Sequence, residues 1–201
     1  MDALICLLAG KSSRMGTPKQ HVSVGGHTFL EHILRTLSRL ANPPSPQIFV
    51  GSESDDLSYR AVQNHGGVWV INREPDLGPL HSIHLAAAHL PSGSGFFLWP
   101  IDHPLITVET IEHLTLAAND HPTLMIVPSI QNRRGHPSRF PHWTREILHQ
   151  APLEVGAKWV LQQFPEKIMH VVVEDEWIIR NLNTPERLQE AEGSLARRPE
   201  T

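Results

Sequence analysis

Cysteine is nearly absent from this 201-residue chain, and the single one, Cys6, falls in the first apolar segment. One thiol forms no internal disulfide, no paired-cysteine redox motif exists, and the usage suits a reducing compartment. Long hydrophobic runs are lacking too. The apolar stretch near the N-terminus is too short to span a membrane, and Met1-Asp2 leads into it without the basic lead and cleavage site of a secretory signal. A cytoplasmic protein that engages no membrane is the expectation. Positive charge is not in excess either: 17 Lys and Arg against 21 Asp and Glu leave a net charge of -4, which excludes a broad nucleic-acid surface and points to a small partner. The 14 histidines include His81 and His84 three apart, but without a His-Glu-x-x-His motif or a cysteine partner they predict no zinc site. No nucleophile elbow, internal repeat or long low-complexity segment occurs, and the five tryptophans are too dispersed for a base-stacking platform.

What the chain does have is a cationic small-residue loop directly after an apolar strand. Ala3 to Ala9 reads as a buried strand. The loop that follows offers the amides of Gly10, Ser12 and Ser13, two serine hydroxyls, and the cations Lys11, Arg14 and Lys19. Such a loop suits a polyphosphate. It is not a Walker A loop, because Ile5 stands where the first glycine belongs, and Gly10 and Gly16 are wrongly spaced for a dinucleotide fingerprint.

Beyond the loop, strand and helix alternate. Thr28–Ala41 has apolar residues at helical spacing, with Thr28 as cap and Glu31 completing a capping box, and Asn42-Pro43-Pro44 ends it. Strands are predicted at Gln47–Val50, Val68–Ile71, Phe96–Ile101, Leu124–Pro128 and Met169–Val173. Helices are predicted near 55–65, 80–90, 107–119, 143–149 and 156–164, with a last one opened by Thr184 and Pro185. Residues 131–137 read as a polar turn. The alternation predicts one α/β domain over residues 1–192, three-layered and doubly wound on a mostly parallel sheet, with a frayed tail over 193–201. Such sheets bind ligands beyond the carboxyl ends of their strands. Asp102, delivered there by Phe96–Ile101, is the acid candidate for a magnesium ion bridging phosphates; a turn cap before Pro104 is its other reading.

Leu7-Leu8-Ala9-Gly10-Lys11-Ser12-Ser13-Arg14-Met15-Gly16-Thr17-Pro18-Lys19 resembles the L-A-A-G-x-S-x-R-M-G-x-P-K signature of the molybdenum cofactor cytidylyltransferases and guanylyltransferases, departing only at Leu8. The resemblance implies a Rossmann-like nucleotidyltransferase fold and nucleotide contacts from Leu8, Ala9, Gly10, Lys11, Ser12, Ser13, Arg14, Gly16 and Lys19, with Arg14, Lys19 and Asp102 catalytic. Gly78-Pro79-Leu80-His81-Ser82 is similar to the family's nucleoside pocket, to which Asn72 is a further candidate. Pro100-Ile101-Asp102-His103-Pro104 looks like its magnesium motif, and Asn181-Leu182-Asn183-Thr184-Pro185-Glu186 its second metal segment, here with Asn183 in place of a carboxylate. Arg133, Arg134 and His136 match an acceptor-side motif, with stabilisation of the turn the other reading of His136. The asparagines resemble the guanylyl branch, whereas Arg133-Arg134-Gly135-His136-Pro137 and Gly156-Ala157-Lys158 resemble the cytidylyl branch. The implied reaction transfers an NMP from an NTP to a phosphorylated small molecule, molybdopterin by resemblance, and releases pyrophosphate. A different acceptor such as a sugar phosphate, or a nucleotide-binding regulator or chaperone with little turnover, are the alternatives.

Overall fold

Successive side chains of the first strand, β1 (Ala3–Leu7), serve two different cores. Leu4 and Cys6, with Leu8 beyond the strand, join one apolar cluster, while Ala3 and Ile5 join another on the opposite face. A strand buried on both faces needs helices on both. The other strands are β2 (Ser23–Val24), β3 (His27–Thr28), β4 (Gln47–Gly51), β5 (Val68–Ile71), β6 (Phe96–Pro100), β7 (Met125–Ile130), β8 (Arg133–Arg134), β9 (Ser138–Phe140) and β10 (Ile168–Val172). The helices are α1 (Phe29–Arg39), α2 (Asp56–Asn64), α3 (Pro79–Ala87), α4 (Val108–Asp120), α5 (Thr144–Gln150), α6 (Lys158–Gln163) and α7 (Pro185–Leu195). The computed structural model describes residues 1–8 and 16–196, so the loop residues Ala9, Gly10, Lys11, Ser12, Ser13 and Arg14 lie outside the described residues.

The main sheet runs β10-β7-β9-β6-β1-β4-β5, with β8 paired to β7. The pairs β5/β4, β4/β1, β1/β6 and β7/β10 are parallel; β9 is antiparallel to both β6 and β7. Buried residues of α1, α2, α4 and α7 share the first cluster with Phe97 and Trp99, and those of α3, α5 and α6 share the second with Phe96 and Leu98. The result is the three-layered, mostly parallel sheet that the alternation predicts.

Local signals act as expected where they are strong. Thr28 accepts from the Glu31 amide while Glu31 accepts from the Thr28 amide, a complete capping box. Several features differ from the sequence reading: β2 and β3 pair as a small separate sheet, and β8 is a short strand within the expected polar turn 131–137. The segment 138–140 is a strand: its middle residue Arg139, 3% exposed, turns inward to Asp2 at 2.6 Å and to the carbonyls of Pro122 and Leu124 at 2.8 and 2.9 Å. A buried arginine held by a carboxylate and two carbonyls hides a strand inside a polar stretch. The last helix also runs past Gly193 to Leu195, whose Cδ1 packs where a Cβ on Gly25 would come within 2.9 Å.

Candidate active site

Register sets the site. Leu7 lies opposite Pro100, so β1 and β6 end side by side, and Asp102 lies two residues beyond the end of β6. Lys19 opens a single 3-10 turn, Lys19–His21, closed by the His21 amide on Pro18 O at 2.9 Å and the Val22 amide on Lys19 O at 3.1 Å. Its Nζ donates to Asp102 Oδ2 at 3.0 Å. The two side chains are 22% and 17% exposed, sunk enough for the charges to be felt yet reachable from solvent. Burial works to raise the Asp102 carboxyl, but the charges of Lys19, His103 and His136 together with the Lys19 hydrogen bond outweigh it and hold the group below its usual range.

A third chain segment closes on the same carboxylate residue. The Leu182 amide donates to Asp102 O at 2.8 Å, which fixes Asn181 and Asn183 at the strand end. Neither is the cap of α7: that falls to Thr184, which accepts from the Arg187 amide at 3.4 Å with Pro185 at the first turn. The Oδ1 atoms of Asn181 and Asn183 are buried and have no hydrogen-bond partner among the described residues. A buried unpaired acceptor costs about 1–3 kcal/mol, so these oxygens favour a cation or a donor. Amide and carboxylate oxygens of this kind suit a hard divalent ion. Among the described residues no cluster of three or more His, Cys, Asp or Glu is able to hold a metal, so such an ion would draw most of its shell from phosphate oxygens and water.

His103 and His136 pack behind the carboxylate, ring centroids 4.9 Å apart. His103 Nδ1 donates to Trp177 O at 3.2 Å, and its own carbonyl accepts from Trp99 Nε1 at 2.8 Å. The His136 amide is bound to Ile178 O at 2.9 Å, an approach that needs Gly135, where a Cβ would sit 2.6 Å from that same oxygen. Burial, with a smaller push from His103, lowers the His136 imidazole to about 4, and its Nδ1 has no partner among the described residues. Arg133 and Arg134 stand exposed on a hairpin turned by Gln131 and Asn132 at φ 49° and 61°, with Arg134 Nη2 donating to His170 Nε2 at 3.4 Å.

On the opposite side of β1, the residues assigned to a nucleoside are largely engaged with each other. Asn72, just past β5, donates from Nδ2 to Ser82 Oγ at 2.8 Å, accepts the Glu74 amide on Oδ1 at 2.8 Å, and gives its own amide to Gly51 O at 2.8 Å. Asn72 and Ser82 are both 2% exposed. They tie α3 to the sheet edge. Leu80 and Leu8 are buried in the two cores, which leaves only their main chains for a ligand. Gly78 holds φ +102° at the start of α3 before Pro79, and a Cβ there would meet Leu153 O at 2.7 Å. Gly16 also has positive φ, +67°.

Two residues to which the sequence reading gives no site role belong to this arrangement: His103, signalled only by its adjacency to Asp102, and Asp55, signalled as a helix cap after β4.

Residues 4–168 of the chain match the model of the MobA-like NTP transferase domain. The chain belongs to this family. This MobA-like domain is similar in structure to Rv0371c from Mycobacterium tuberculosis, at TM-score 0.78 and 20% identity over 96% of this chain and 99% of that one. A complex of Rv0371c with manganese aligns at TM-score 0.75 and 19% identity over 96% and 98% of the two chains. Molybdopterin-guanine dinucleotide biosynthesis protein A from Archaeoglobus fulgidus aligns at TM-score 0.72 and 20% identity over 98% and 100%. These likenesses establish the nucleotidyltransferase fold. In sequence, the bifunctional protein GlmU of Legionella pneumophila is 30% identical over 139 residues, 66% of this chain and 30% of that protein. The chain thus spans less than a third of the length of the curated relatives it matches. Among the described residues no helix is long and apolar enough to cross a membrane.

Proposed function

We propose that this MobA-like domain is a magnesium-dependent nucleotidyltransferase that joins an NMP from CTP or GTP to molybdopterin and releases pyrophosphate. The observation that carries the reading is the Lys19–Asp102 pair at 3.0 Å on the sheet edge, reached by the segment that holds the unpaired oxygens of Asn181 and Asn183. An acceptor phosphate oxygen forms the new bond to the α-phosphorus of the NTP, and the bond to the β-phosphate oxygen breaks. Lys19 then faces the charge that gathers on the leaving pyrophosphate, and Arg14 shares that task. Asp102, with Asn183 beside it, would hold magnesium, which when bound offsets phosphate charge as a Lewis acid. Manganese in the Rv0371c complex supports divalent-metal use. The loop residues Gly10 to Gly16 would cradle the triphosphate, while Gly78 and the main chain of Pro79 and Leu80 border the nucleoside. Arg133, Arg134 and His136 lie on the β7 side of Asp102, where an anionic acceptor would enter.

Pyrophosphate release from each of ATP, CTP, GTP and UTP, measured with magnesium and either molybdopterin or a panel of sugar phosphates, tests this reading. Turnover with molybdopterin and only CTP or GTP is the expected result. Turnover with a sugar phosphate alone would replace the acceptor. NTP binding without turnover under all conditions would make the domain a nucleotide-binding regulator.

A further inference from the structure

The turn that carries Lys19 is held from outside by a carboxylate that plays no part in the chemistry above. Asp55 lies between β4 and α2 and is 8% exposed. Its Oδ2 accepts from Gln20 Nε2 at 2.6 Å; its Oδ1 accepts from His21 Nε2 at 2.8 Å and from the Ser58 amide at 3.2 Å. The last of these caps α2, and one oxygen suffices for it. The two shorter bonds reach across 35 and 34 residues to the positions that directly follow Lys19. Gln20 is itself buried at 7% exposure, so its side chain cannot trade this bond for water. A 3-10 turn of three residues has little rigidity of its own, and two of its three side chains end on one buried carboxylate.

We infer that Asp55 is a positioning residue: it anchors the Lys19–His21 turn through Gln20 and His21, and so aims the Lys19 ammonium at the phosphate subsite beside Asp102. The inference rests on the reading of Lys19 as a phosphate contact. Asp55 acts through Lys19 and touches no reacting atom.

Three substitutions separate anchoring from helix capping. Asp55→Asn keeps the cap and both long bonds, because Gln20 Oε1, which has no partner among the described residues, turns to accept the new amide. Asp55→Ser keeps the cap but is too short to reach Gln20 or His21. Gln20→Met breaks the 2.6 Å bond from the other end at similar volume. The probe is magnesium pyrophosphate, its affinity measured by calorimetry on the full chain alongside the melting temperature.

Asp55→Asn is expected to bind within about threefold of wild type, while Asp55→Ser, Gln20→Met and Lys19→Ala each bind about tenfold more weakly. The double variant Lys19→Ala/Asp55→Ser is expected to be no weaker than Lys19→Ala alone, since residues that act as one unit are not additive. Asp55→Ser at wild-type affinity, or additive losses in the double variant, would overturn the inference while leaving Lys19 in place. Should Asp55→Ser fail to fold, Gln20→Met decides the same question. Lys19→Ala at wild-type affinity would overturn the phosphate reading of Lys19, and the inference with it.

Discussion

Lys19 Nζ and Asp102 Oδ2 lie 3.0 Å apart although 83 positions separate them in the chain. The pair joins the end of the loop after β1 to the end of β6, strands that are neighbours in the sheet. In the proposed reaction a cation and a carboxylate so placed would hold each other's charge until substrate divides them, phosphate drawing the ammonium and a metal ion the carboxylate. The first two predictions take the pair apart from its two ends.

Lys19→Ala is expected to lower turnover at least about tenfold with the fold intact, because the side chain would face charge that grows only as pyrophosphate leaves. An unchanged kcat/KM in a pyrophosphate-release assay would remove Lys19 from the site.

Asp102→Asn is expected to abolish magnesium-dependent turnover and to shift the melting temperature by only a few degrees, since both partners of the pair are partly open to solvent. A large fall in melting temperature with activity retained would make Asp102 a structural residue. Magnesium titrated into the protein without nucleotide should show no tight site, because one carboxylate and two amide oxygens bind it weakly.

Acid is expected to destabilise the fold through His136. Its imidazole is lowered from 6.5 to about 4, so between those values the unfolded chain holds more protons than the folded one. The stability is therefore complete above pH 6.5 and falls as the pH drops towards 4, by about 3 kcal/mol at 1.36 kcal/mol per unit. Asp102 acts lower down: its depressed carboxyl contributes above the ordinary value near 4 and that contribution is lost as pH falls through its folded value. Melting curves from pH 7 to 4.5 should show a shallower slope for His136→Phe than for wild type; equal slopes would acquit His136.

Asn183→Asp is expected to lower the magnesium concentration for half-maximal rate, since it adds a hard anionic ligand next to Asp102. Thr184 already caps α7, so the helix should not respond. Identical magnesium curves for the two proteins would remove Asn183 from the metal side.

Gly78→Ala combines a strained φ of +102° with a Cβ 2.7 Å from Leu153 O, and should cost about 1–3 kcal/mol of stability. Because the start of α3 would shift, KM for the nucleotide should rise more than kcat falls. Chemical denaturation and steady-state kinetics on one preparation check both parts.

Much of this architecture is legible in the residues themselves, because a buried strand or an amphipathic helix announces itself by local spacing. Val68–Ile71 reads as a strand from four residues, and Thr28 with Glu31 writes a capping box. Asp102 is legible for the same reason: an apolar run ends and a lone carboxylate follows. The residues 138–140 carry no such mark, since Arg139 looks like a surface residue until Asp2, 137 positions away, is found beside it. The same holds for Asn72 with Ser82, whose polar side chains suggest a ligand but answer each other, and for Asp55, whose capping position conceals its reach to Gln20 and His21. Periodicity and loop chemistry, which depend on neighbours in the chain, were determined by the sequence alone. Strand order and the pairing of buried polar groups were decided only by the tertiary structure, because a hydrogen bond across 35 or 137 residues leaves no trace in the spacing around either partner.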